Sequence, residues 1–278
     1  MKSILISIGC ALPILLAMAS CGKEEPKIAP AAGDAILIIA GVGNFLSDGG
    51  TRAIIDDATG KGSFEAGDQI SLWVRQEFIT TISGTKTLTY DGSRWRGFAA
   101  NWHEYEDDME FGTRLKFIAC YPNIDTSQSE INCEVKSDQS IDGNYEKSDF
   151  LGAMQELAAK PPEGVVQLDF EHLLARIKIT LQGSKADKAS LLVRNVETNY
   201  RVNDNLSIDK IPTGNYNIIP KRIGNDFYAV IPPQQLESVG LQLAVIINGE
   251  TIEFEVGKGM ENKMLEGGRQ YEIVLNLK

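Results

Sequence analysis

Histidine is nearly missing from this 278-residue chain: there are two, His103 and His172, far apart in the sequence. Most zinc sites and histidine-based acid–base arrangements are thereby excluded. Basic charge is also short, with 27 Lys and Arg against 38 Asp and Glu and a net charge of −11. A chain with no basic excess cannot neutralise a phosphate backbone, so nucleic acid is not an expected partner. Cysteine occurs four times, and Cys10 and Cys21 both fall in the first 21 residues. Catalytic strings are lacking as well: there is no G-x-S-x-G elbow, no H-E-x-x-H, no Walker loop and no dinucleotide fingerprint. Gly60-Lys61-Gly62-Ser63 has neither the spacing nor the following helix of a phosphate loop. The expectation is a protein that is not an enzyme and uses no cofactor and no metal. What remains is an ordinary globular composition, 43% hydrophobic and 23% charged, long enough for one large domain or two small ones.

The amino terminus reads as an address. Lys2 precedes an apolar stretch from Ile4 to Ala17 that is too short to span a bilayer, and small residues follow. Leu16-Ala17-Met18-Ala19-Ser20-Cys21 resembles a bacterial lipobox, which implies a signal peptide over residues 1–20 and lipidation of Cys21. Lys23-Glu24-Glu25 looks like a short export tag to the outer face of the outer membrane. Pro26, Pro30 and Gly33 make residues 21–33 a flexible tether. Among the remaining cysteines, Cys120 and Cys133 form either a disulfide, which contributes up to about 3 kcal/mol by closing its loop, or two buried thiols.

Beyond the tether, period-two alternation dominates. Gln69–Gln76, Leu115–Tyr121, Val166–Glu171, Arg176–Leu181 and Tyr271–Leu277 each place large apolar side chains on one side of a ribbon. Asn248-Gly249 and Asp91-Gly92 mark hairpins, and Pro232-Pro233 ends the strand Phe227–Ile231. One short helix is expected, around Gly152–Ala159. Many short strands point to an all-β protein of two tandem β-sandwich domains, residues 34–172 and 173–278. The acidic run Glu104, Glu106, Asp107, Asp108 and Glu110 lacks the order of a calcium loop and reads as a solvated loop. Trp73, Trp95 and Trp102 are either core residues or a platform for a sugar. His172, beside Phe170 and Leu173, reads as a hydrogen-bonded structural histidine.

Several strings then occur in a fixed order: Thr51-Arg52-Ala53, Phe64-Glu65-Ala66-Gly67-Asp68, Phe117–Pro122, Asp149–Ala153, Phe170–Leu181, Ile231–Gln234 and Gly267–Tyr271. As an ordered set they resemble the fimbrillin family, the lipoprotein-derived subunits of type V pili. The resemblance implies transthyretin-like sandwiches and a lipoprotein at the cell surface, held by the outer membrane or released into a fimbrium. It also implies assembly with other pilus subunits by donor-strand exchange after an arginine-specific protease cuts Arg52-Ala53. Arg52 is the only basic residue between Lys27 and Lys61, in a polar, glycine-rich loop open to proteolysis. Ahead of it, Ala35-Ile36-Leu37-Ile38-Ile39-Ala40 is a continuous apolar run, expected as a displaceable strand buried on both faces. The strand Tyr271–Leu277 is followed by Lys278 alone, which favours a tip, accessory or anchor role over a stalk role. A surface glycan-binding module using Trp95 and Trp102 is the alternative function.

Overall fold

The computed structural model describes residues 34–43, 45–47, 64–76, 84–110, 112–124, 130–211, 214, 216–236, 240–256 and 263–277. The signal peptide, Cys21, the tether and the Arg52-Ala53 site lie outside those residues. In the first part of the chain the strands are β1 (Leu37–Val42), β2 (Leu46–Ser47), β3 (Gln69–Gln76), β4 (Lys86–Tyr90), β5 (Trp95–Arg96), β6 (Leu115–Tyr121), β7 (Glu130–Glu134), β8 (Leu151–Leu157) and β9 (Val165–His172). The middle part contributes β10 (Ala175–Gln182), β11 (Ser190–Val196), β12 (Asn199–Asn203), β13 (Ile208–Lys210), β14 (Tyr216–Ile218), β15 (Lys221–Ile223) and β16 (Asp226–Ile231). The last strands are β17 (Gln234–Gln235), β18 (Gln242–Ile247), β19 (Glu250–Glu255), β20 (Met264–Leu265) and β21 (Arg269–Asn276). Among the described residues two short α-helices, α1 (His103–Glu110) and α2 (Asn144–Ser148), and one turn of 3-10 helix, Ala186–Lys188, accompany them. No helix among the described residues is long and apolar enough to cross a membrane.

The protein is all-β, with stacked sheets in a sandwich-like arrangement. The largest sheet has seven strands in the order β1-β9-β8-β6-β3-β4-β5. A five-stranded sheet runs β15-β16-β10-β21-β2, and a four-stranded one runs β14-β11-β18-β19. The strong alternations of the sequence become strands at the expected places because side-chain direction flips at each residue, whatever the partner. In β9 the burial pattern alternates strictly: Val166, Leu168 and Phe170 are sealed, while Gln167, Asp169 and Glu171 face water. The Asn248-Gly249 turn joins β18 to β19 with positive φ at both residues, as a two-residue hairpin requires.

One element differs in type. Leu151–Leu157 is strand β8, not a helix; it pairs along its whole length with β6, Leu115 opposite Leu157 through Tyr121 opposite Leu151. Its Ala, Met, Gln, Glu and Leu favour a helix only weakly, and a ladder inside a seven-stranded sheet outweighs that preference. The acidic run is α1 rather than a loop. Glu104 caps its start by accepting the Asn101 backbone N–H at 2.9 Å, half of a capping box.

Two apolar cores result. Ile70, Leu72, Val74, Phe117, Leu168 and Phe170 meet in the first, beneath the seven-stranded sheet. Trp73, Ile118 and Cys120, on the other face of β3 and β6, enter the second core with β10, β11, β16 and β18. The chain crosses between sheets more than once. Residues 130–134 leave the first part of the chain to pair with β12, and the buried Gln139 side chain bonds both the N–H and the C=O of Val230 on β16, at 2.9 and 2.8 Å. β9 ends at His172 and β10 begins at Ala175, and residues 31–278 cluster as one unit.

Candidate functional site

The segment from Asp34 to Ser47 has a singular place in this architecture: it supplies the outermost strand of two sheets. β1 lies parallel to β9, with Ile38 opposite Val166 and Val42 opposite Phe170, and forms one edge of the seven-stranded sheet. Four residues later, β2 lies parallel to β21, with Leu46 opposite Arg269, and forms one edge of the five-stranded sheet. β9 runs on through Leu173-Leu174 into β10, which lies parallel to β21, so the two strands that the segment covers belong to neighbouring stretches of the two sheets. Gly267 lets the chain before β21 pass close to that link, since a Cβ there would lie 2.3 Å from the Leu173 carbonyl oxygen.

Burial along the segment alternates. Ile36 and Ile38 are 3% and 6% exposed and sit in the first core, whereas Leu37, Ile39 and Ala40 are half-buried and Ala35 is exposed. The expectation of a strand buried on both faces is therefore corrected. Its neighbour β9 also turns one polar face to water, so a strand added beside it gains cover on one side.

Both ends of the segment are pinned by polar or aromatic contacts. Asp34 accepts from the His103 backbone N–H at 3.0 Å, contacts the His103 imidazole and pairs with Lys160 at 3.1 Å. The His103 N–H and ring, with Lys160, hold the half-buried Asp34 carboxyl down at about 2. Trp102 Nε1 donates to the Gly164 carbonyl, and Leu37 N–H reaches the same oxygen, so the buried tryptophan braces the strand's start. At the far end Gly43 N–H donates to Phe170 O at 2.7 Å. Phe45, 4% exposed, then stacks on the His172 imidazole with ring centres 3.7 Å apart, and the Arg176 guanidinium lies 5.7 Å from its ring. His172 is held by Asp149 through Nδ1 at 2.7 Å. Alongside runs an open cleft of about 920 Å³ bounded by Gly41, Gly43, Glu171, His172, Pro233 and Gly267.

The other sequence candidates fall elsewhere. Trp73, Trp95 and Trp102 are 3%, 9% and 0% exposed, so they line the cores and offer no platform to a sugar. Cys120 and Cys133 are free thiols, Cys120 buried within the second core and Cys133 packed against it. Burial, with Cys133 nearby, pushes the Cys120 thiol up to about 12. No group of side chains able to hold a metal exists among the described residues. Asp34 and Phe45 were missed by sequence reasoning; a lone aromatic after Gly41-Val42-Gly43 was the available signal.

The family model described as fimbrillin-like matches residues 51–278. The chain belongs to the fimbrillin-like family. Its members are fimbrial and adhesin proteins of the cell surface, not a class of enzymes. The fimbrillin-like fold also matches solved structures. A candidate cell adhesion protein from Bacteroides uniformis superimposes with a TM-score of 0.62 at 17% identity, covering 88% of this chain and 94% of its own. Another, from Bacteroides ovatus, gives 0.63 at 14% identity over 88% and 92%. A fimbrial protein from Bacteroides ovatus gives 0.55 at 15% identity over 88% of this chain and 50% of the other. These likenesses establish the fold. No curated protein matches the chain by sequence. The matched family span begins four residues after β2, so the segment that closes both sheets precedes it.

Proposed function

We propose that this fimbrillin-like protein is exported as a lipoprotein acylated at Cys21 and joins a surface fimbrium by strand replacement, after an arginine-specific protease cuts Arg52-Ala53. The observation that carries the reading is the double edge: withdrawing residues 34–47 would bare β9 in one sheet and β21 in another. Bared edges with an apolar trough beside them are what an extended strand from another subunit completes. Burying Ile36, Ile38 and Phe45 contributes on the order of 4–9 kcal/mol, comparable to the stability of a whole domain. Cleavage alone therefore leaves the segment in place, and release requires an incoming strand with equivalent burial. Because donor and acceptor surfaces differ, the product is a head-to-tail, open-ended polymer serving adhesion.

Treatment of the full chain with an arginine-specific protease, followed by N-terminal sequencing, tests the cut. Ala53 as the new terminus, and loss of oligomers in Arg52→Ala, are expected. Resistance at Arg52 together with unchanged monomer in both forms refutes the assembly reading. A glycan-binding role draws no support from the buried Trp95 and Trp102.

A further inference from the structure

We infer that the pocket under Phe45 is a receptor for one aromatic side chain, and that an incoming strand is recognised by carrying such a residue at that place. The inference rests on the strand-replacement reading and names the chemistry that would select the partner.

Four residues build the pocket. His172 offers a flat ring, held from behind by the Asp149 carboxylate, and its Nε2 is buried with no hydrogen-bond partner among the described residues. Arg176 is 2% exposed, yet its Nε also finds no hydrogen-bond partner among the described residues. Its guanidinium lies between two rings, 4.6 Å from Tyr228 and 5.7 Å from Phe45. With no paired carboxylate among the described residues, this buried guanidinium draws its compensation from aromatic faces, and both distances fall within the range of about 6 Å for cation–π contact. Phe45 thus covers a cation and an imidazole that would otherwise face solvent or an empty space. An aliphatic side chain would fill the volume without stacking on the ring or facing the cation.

Position adds a second requirement. Phe45 lies between β1 and β2, where the segment passes from the edge of one sheet to the edge of the other. A replacing peptide must therefore be extended, run parallel to β9, place aliphatic side chains at the positions of Ile36 and Ile38, and reach this pocket with an aromatic nine residues after the first of these. The occupant that fits is residues 34–47 of a second copy not yet cut at Arg52, which satisfy every requirement.

Hydrogen exchange on the full-length chain tests the anchor directly. Phe45→Ala is expected to speed exchange of the Leu37–Val42 amides at least about tenfold, as expected for losing one buried aromatic anchor. Unchanged exchange overturns the inference. In the same full-length Phe45→Ala protein, a fluorescent synthetic peptide of residues 34–47 should bind about tenfold more tightly than the same peptide with alanine in place of Phe45. Varying the peptide leaves the protein's folding untouched. Arg176→Met, which keeps the packed stem and removes the cation, should reduce that preference to under about threefold. Equal binding of the two peptides overturns the aromatic receptor while leaving strand replacement standing. If exchange accelerates but neither peptide binds, strand replacement and the receptor fall together.

Discussion

Shortening Ile38 to alanine isolates the one-sided burial of β1. Ile38 is 6% exposed and packs in the first core, whereas its neighbour Ile39 is half-buried on the outward face. Truncating a buried isoleucine costs about 2–5 kcal/mol, and an edge strand that can settle inward places this site near the lower end, at about 2–3 kcal/mol. If the segment opens as a local unit, that loss raises its opening by about 30- to 150-fold, taking about 1.4 kcal/mol per factor of ten. The same change at Ile39 removes less buried area and should cost under about 1 kcal/mol, or roughly fivefold. Hydrogen exchange read by mass spectrometry follows this through the Leu37–Val42 amides, with Ala175–Gln182 in the interior of the five-stranded sheet as the control. The interior strand should be unaffected by either variant. Equal acceleration by Ile38→Ala and Ile39→Ala, or loss of protection in both strands together, would refute the reasoning.

Acid should loosen the start of the same segment. Because the folded Asp34 pKa lies near 2, below its ordinary 3.8, its stabilisation is present above about pH 4 and is lost as pH falls through about 2; Asp34→Asn should abolish that dependence of β1 protection. Gln139→Ala should lower the unfolding midpoint of the whole protein, since it strands the buried Val230 N–H and C=O at a cost of about 2–4 kcal/mol; calorimetry checks this, and an unchanged midpoint counts against a cross-link between sheets at that point. At pH 8 the buried Cys120 should resist alkylation in the folded protein and react after denaturation, because a thiol held near 12 is protonated there; mass spectrometry of the labelled peptides distinguishes the two states.

Alternation along β3, β6, β9, β10 and β21 was legible in the chain as written, because each side chain's direction in a strand depends on its own position alone. The same locality made the Asn248-Gly249 hairpin and the Pro232-Pro233 stop readable. The ordered strings that resemble fimbrillins were legible too, and the family match covers most of the chain. Leu151–Leu157 was not, since its residues suit helix and strand almost equally and pairing with β6 decides between them. Nor could the apolar run Ala35–Ala40 disclose that one of its faces stays half open, because that depends on whether anything covers the outer side of β9. The meeting of Phe45 with His172 and Arg176 lay furthest from view. Local chemistry along the chain names the strands; which strand lies at an edge, and which distant side chains share a pocket, follows from packing that brings together residues more than a hundred positions apart.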